Sequence, residues 1–177
     1  PNLATNSDMY GDIDGYGKKV YIAGQKLAGV TTADGTLYDV FYHSENYGTD
    51  DSGQYAAPAD GTTSGWYLPT IGQWWDILEN LGDANGLIAL RNSSGTTVEL
   101  KNGVSQVAIE RMNELMSASG QTVTLFKADV HYWSSSEKSS GVARRVLFDG
   151  SGKKYSLRIG DNNKDNPSTN VRCILAF

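Results

Sequence analysis

The sequence predicts a single α+β domain, and three observations carry that expectation. Two segments place apolar residues at helical spacing, at Ile71–Leu81 and Val104–Ser119. Short alternating or apolar runs, the mark of strands, recur after them to the end of the chain. The composition is that of a folded, loop-rich chain, with 20 glycines, 10 tyrosines and 4 tryptophans in 177 residues. A chain of this length suits one domain with a sizeable core.

Residues 1–19 are polar and rich in Gly and Asp, and read as an irregular lead-in trimmed from a longer chain, with one domain over 20–177. Strands are expected at Val20–Ala23 and at Leu37–Tyr42, where Leu37, Asp39 and Phe41 alternate with Tyr38, Val40 and Tyr42. A long polar excursion then covers His43–Gly65. Such loops are often functional.

The first helix has clear ends. Thr70-Ile71-Gly72-Gln73 fits a capping box, Pro69 stands just outside, and Gly82 is expected to close the helix in the left-handed conformation. Ile71, Trp74, Ile77, Leu78 and Leu81 form the buried stripe, with Trp75 pointing sideways. Leu87–Leu100 suggests a hairpin around Ser93-Ser94-Gly95. The second helix follows, with Val104, Ala108, Met112, Leu115 and Met116 as its stripe and Gly120 as its stop. Five strands are expected after it: Val123–Phe126, Tyr132–Ser134, Val142–Phe148, Tyr155–Ile159 and Val171–Phe177. The last is apolar on both faces, which predicts a central strand. Within Val142–Phe148, Arg144 faces the side of Val142, Val146 and Phe148 and Arg145 that of Ala143 and Leu147, so one of the two must share an apolar face and needs a carboxylate or an escape to water.

Three segments resemble a known family: Gly65-Trp66-Tyr67-Leu68-Pro69-Thr70 followed by Gln73-Trp74, then Tyr132-Trp133-Ser134-Ser135-Ser136-Glu137, then Asn170-Val171-Arg172-Cys173-Ile174-Leu175-Ala176-Phe177. In order and spacing they resemble the Fibrobacter major paralogous domain. Its relatives occur in Bacteroides surface lipoproteins, in fimbrillin-like pilus proteins and at the C-terminus of the Legionella collagen-like adhesin. The resemblance spans Tyr55–Phe177, about two thirds of the chain. It implies a C-type-lectin-like fold: two helices packed on a twisted antiparallel sheet with long loops forming the ligand face. It also implies a cell-surface or extracellular setting, with an outer-membrane anchor upstream. In that scaffold Trp66 and Leu68 are expected to anchor in the core, Trp133 to sit in the sheet, and Ser134–Ser136 to hydrogen-bond at the strand end.

Sharper chemistries find little in the residues. The calcium-lectin tripeptides Glu-Pro-Asn, Gln-Pro-Asp and Trp-Asn-Asp are missing. An EF-hand aligned on Gly15 would put Tyr10 and Tyr21 where carboxylates are required. Asp161-Asn162-Asn163 and Asp165-Asn166 form a polar loop that could offer oxygens to a cation, or could simply satisfy turn amides. Formylglycine-generating enzymes, which share the broad fold, need paired cysteines, and this chain has only Cys173. His43 and His131 lack a nucleophile elbow or an evident partner. A net charge of −5 with scattered basic pairs argues against nucleic acid.

Binding remains. The expected function is a non-catalytic adhesion module that recognises a glycan or a protein, in a pilus-associated setting, with no cofactor, no metal and no catalytic residues. The alternatives are a structural pilin-type subunit packing on other pilus subunits and a divergent formylglycine-generating-type enzyme. Loop composition nominates Tyr42, Tyr47, Tyr55, Asn162, Asn163, Asp165 and Asn166 as ligand contacts, because tyrosine offers contact area at low entropy cost and asparagine offers adaptable hydrogen bonds. The excursions that carry them are expected to flank one surface.

Overall fold

The computed structural model describes residues 3, 5–15, 44, 47, 65–120, 123–150, 155–164, 166 and 168–175. The expected strands at 20–23 and 37–42, His43, and most of the polar excursion lie outside them. The described residues form a mixed α+β arrangement: three helices, one 3-10 turn and a five-stranded sheet.

The lead-in is not irregular. Helix α1 (Asn6–Gly11) starts at a capping box, in which the Thr5 hydroxyl accepts from the Asp8 amide at 3.1 Å and the Thr5 amide donates to the Asp8 carboxylate at 2.9 Å. Leu3 and Met9 join the core. A six-residue helix has no stability of its own, so packing holds it. Its leading amides donate to the turn after the 3-10 segment, Asn6 to the Gly95 carbonyl at 2.6 Å and Ser7 to that of Ser93 at 3.3 Å. Ser93–Gly95 is therefore a docking platform for α1 and not the tip of a hairpin. The expected hairpin is replaced by the 3-10 turn Asn85–Leu90 and strand β1 (Val98–Leu100), which pairs with a distant strand.

Helix α2 (Ile71–Asn80) begins as expected: the Thr70 hydroxyl accepts from the Gln73 amide at 3.2 Å and the Gln73 side chain accepts from the Thr70 amide at 3.0 Å. Ile71, Trp74 and Leu78 are fully buried, whereas Leu81 at the C-cap is exposed. Trp75, which points sideways from that stripe, is fully buried, with α1 packed beside it. Tyr10 meets the Trp75 ring edge-on at 5.8 Å between centroids, and the indole N–H donates to Glu79 at 2.8 Å. Gly72 permits this approach, since a Cβ there would lie 2.5 Å from the Asp12 carbonyl oxygen. Gly82 serves a similar purpose. It is not left-handed, Asp83 having the positive φ of 53° instead, and a Cβ on Gly82 would press on the Leu78 carbonyl and on Ala108 of the next helix.

That next helix, α3 (Val104–Ala118), runs between Gly103 at φ 88° and Gly120 at φ 72°, both in the left-handed region. Ala108 and Met112 are buried, while Leu115 is 44% exposed.

The sheet order is β1-β4-β3-β2-β5, with β2 (Val130–Ser139), β3 (Val142–Phe148), β4 (Leu157–Asn163) and β5 (Thr169–Asn170). Neighbours are antiparallel except β5, which runs parallel to β2, so the sheet is mixed and not wholly antiparallel. Val98, Ile159, Val146 and Tyr132 lie side by side across four strands on the core face. Trp74 of α2 and Phe126 close over them, Phe126 and Tyr132 meeting edge-on at 5.3 Å. Phe126 reaches this core from a segment without regular structure, not from the strand expected at 123–126. Asn113 holds that segment, accepting from the Phe126 amide at 2.7 Å and donating to its carbonyl at 2.9 Å.

The expected central strand at Val171–Phe177 is absent over its described residues. After β5 the chain makes one antiparallel bridge, Ile174 with Tyr67, and 171–175 is only half-buried. Apolar residues on both sides of this run face cavities and the Tyr67 bridge, not two sheet faces.

Candidate functional site

The serine run of β2 organises one end of the molecule. Between Trp133 and Glu137 the pairing register slips: four steps on β2 face two on β3, from Arg145 to Ala143. The irregularity brings Ser134, Ser135 and Ser136 all into buried positions. Each lands on a different element. The Ser134 hydroxyl donates to the Arg144 carbonyl at 2.8 Å, the Ser135 amide to the Pro69 carbonyl at 2.8 Å, and the Ser136 hydroxyl to the Asp12 carboxylate. The Ser136 oxygen also accepts the Ile71 amide at 2.8 Å, one of the donors that the first turn of α2 leaves over. The run is a fastening between sheet, α1 and α2.

Beside it lies a charged knot. Arg144 is fully buried; its guanidinium donates to the Leu3 carbonyl, and Nη1 lies 3.5 Å from Asp161. The carboxylate that this core-face arginine requires is thus present, and burial, opposed by Asp161 and Asp8, pulls the guanidinium below its ordinary pKa. Lys138 shares Asp161. Lys164, also fully buried, pairs with Glu137 and donates to the Ser140 carbonyl at 3.0 Å. With two cations on it, Asp161 is committed to the protein and not poised for a metal. Among the described residues no three His, Cys, Asp or Glu side chains gather as a metal site.

The nominated contacts among the described residues fall in two places. Tyr42, Tyr55 and Asp165 lie outside the described residues. Asn162, Asn163 and Asn166 share one turn and satisfy it: Asn162 accepts from the Asn163 amide at 3.0 Å, the Asn166 amide donates to the Asn163 carbonyl at 3.0 Å, and the Asn166 side chain accepts from the Ser168 amide at 2.9 Å. Tyr47 stands elsewhere, edge-on to Trp66 at 5.0 Å between centroids, and none of the three asparagines lines the cavity it lines.

That cavity, of about 540 Å³, is walled by Tyr47, Trp66, Leu125, Lys127, Asn170 and Arg172, among others. A second, of about 420 Å³, opens between α2 and α3 and is nearly all apolar. The two share Met116, Arg172 and Cys173. Trp66 therefore does not anchor in the core as expected; Tyr67 and Leu68 do, and Trp66 is left half-buried as a wall. Trp66, Lys127, Asn170 and Arg172 were not legible as site residues, because each belongs to a different segment and only the fold gathers them.

Two reactive side chains are muted. Burial pushes the Cys173 thiol up to about 11, far from a thiolate at neutral pH. Burial and the adjoining Arg145 hold the His131 imidazole below its usual value. No described helix is long and apolar enough to cross a membrane. Comparison with family models, with curated proteins and with solved structures finds no match in any of the three.

Proposed function

We propose that this chain is a non-catalytic binding module with a C-type-lectin-like fold, displayed at a cell surface through an upstream anchor, that recognises a glycan or a protein. One observation carries the reading: the 540 Å³ cavity pairs an aromatic wall, Tyr47 against Trp66, with polar groups on Asn170, Lys127 and Arg172. An aromatic face beside a few converging donors suits a ring that is apolar on one side and hydroxylated at its rim. The muted thiol and imidazole speak against the formylglycine-generating alternative, which rests on reactive cysteines.

The test is a glycan array probed with the full chain and with Trp66→Ala and Asn170→Ala. A hit that either variant weakens at least tenfold, with unchanged circular dichroism, supports the reading. A blank array, or a hit indifferent to both changes, moves the function to a structural subunit that packs on other subunits.

A further inference from the structure

The apolar groove between α2 and α3 differs in chemistry from the cavity of that reading, though the two share Arg172. Its walls are Trp74, Ile77 and Leu81 on one side and Met112, Leu115 and Met116 on the other, with residues 173–175 along the floor. At about 420 Å³ it falls within the range of about 300–1,000 Å³ usual for small-molecule sites. Leu81 and Leu115 stay 48% and 44% exposed on opposite rims, so apolar surface remains in water on both sides of the opening. Two methionines in one wall give a lining that can repack around its occupant.

Arg172 stands where this groove meets the neighbouring cavity. Its guanidinium lies 4.6 Å from the Phe126 ring centroid, donates to the Thr124 carbonyl at 2.6 Å and touches the Met116 sulfur. No carboxylate among the described residues pairs with it. Three of its five N–H donors remain for another acceptor. A fixed cation at the end of an apolar slot is complementary to an amphipathic anion.

We propose that the groove binds a carboxylate with a hydrocarbon tail, of the medium-chain fatty-acid class, its tail between α2 and α3 and its head on Arg172. The lining favours a hydrocarbon over a peptide. The two helices satisfy their own backbones, so the walls they supply would strip water from a peptide's amides without replacing those hydrogen bonds. An alkyl chain has no hydrogen bonds to lose on entry.

Isothermal titration of the full chain with sodium decanoate, 1-decanol and sodium butyrate, each below its aggregation limit, tests this. Decanoate is expected to saturate at one site, at least tenfold tighter than decanol, with butyrate undetected, because tail and head both contribute. Arg172→Gln should bring decanoate down to the level of decanol, Arg172→Lys should keep most of the difference, and Leu115→Trp should obstruct the tail and weaken both. Unsaturable decanoate binding overturns the proposal. So does equal affinity for decanoate and decanol that Arg172→Gln leaves unchanged, and so does binding of decanoate that survives Leu115→Trp. Trp66 lines only the other cavity, so glycan binding lost with Trp66→Ala while decanoate fails would remove this inference and leave the glycan reading intact.

Discussion

The indole N–H of Trp74 donates to the backbone carbonyl of Trp133 at 3.1 Å, across 59 positions of sequence. It ties the middle of α2 to β2 immediately before the pairing register slips. The same indole packs on Phe126 and Tyr132 with centroids 6.2 and 5.8 Å away, so one side chain joins the helix layer, the segment that carries Phe126 and the sheet.

Trp74→Ala should therefore destabilise the fold by about 3–5 kcal/mol, the usual cost of emptying a large aromatic site. Trp74→Phe keeps much of the apolar area but strands the Trp133 carbonyl, and should cost about 1–3 kcal/mol. Urea unfolding midpoints measure both. A loss under about 1 kcal/mol for Trp74→Ala would show that the helix is held elsewhere.

Two neighbouring serines should behave oppositely. The Ser136 hydroxyl bridges Asp12 and the Ile71 amide, so Ser136→Ala leaves buried polar groups without partners and should cost about 1–3 kcal/mol. The Ser135 hydroxyl oxygen is buried with no hydrogen bond, and only its backbone amide is engaged. Ser135→Ala should be neutral or slightly stabilising. The same urea titration reads both variants, and equal losses would refute the assignment of roles.

Stability should fall on mild acidification partly through His131. Its folded pKa is depressed by burial and by Arg145, so the unfolded chain takes up the proton first as pH drops. The protein is thus weakened by protons below the unfolded value of about 6.5. His131→Gln removes that contribution: between pH 7.5 and 5 its melting temperature should decline less than that of the unaltered chain. A decline equal to the parent's would show that other groups set the slope.

The Cys173 thiol should resist modification until the protein unfolds. With its pKa pushed up to about 11, roughly one molecule in a thousand carries a thiolate at pH 8. A thiol-reactive disulfide reagent should label native protein at least 100-fold more slowly than protein in concentrated urea. Comparable rates would mean that the thiol is exposed and ordinary.

Removing Asp161 should cost more than its surface position suggests. Asp161→Asn leaves the buried Arg144 without the carboxylate 3.5 Å away, for a loss of about 1–3 kcal/mol; the full cost of breaking a buried pair is not reached because Asp161 itself is one-third exposed. Arg144→Met, which removes the buried charge and leaves Asp161 with Lys138, should be tolerated better. Thermal unfolding of the two variants compares them, and the reverse order would contradict the pairing.

What the sequence determined by itself was local. The capping box at Thr70–Gln73, the Ile71, Trp74 and Leu78 part of the α2 stripe, the span of β3, the extent of α3 and its stop at Gly120 all depend on residues close in sequence, and all are found where their spacing predicts. The capping box at Thr5–Asp8 is equally local, yet its Gly- and Asp-rich setting reads as an irregular lead-in.

Tertiary structure decided whatever depends on a distant partner. Trp75 is core only because α1 returns to cover it, Ser93–Gly95 is a platform only because α1 docks there, and Val171–Leu175 has strand-like apolarity without a strand's neighbours. Nor could Trp66, Asn170 and Arg172 be grouped from their letters, since hydrophobic burial and hydrogen bonding are satisfied by proximity in space. A residue's own pattern states what environment it needs; only the folded chain states which segment supplies it.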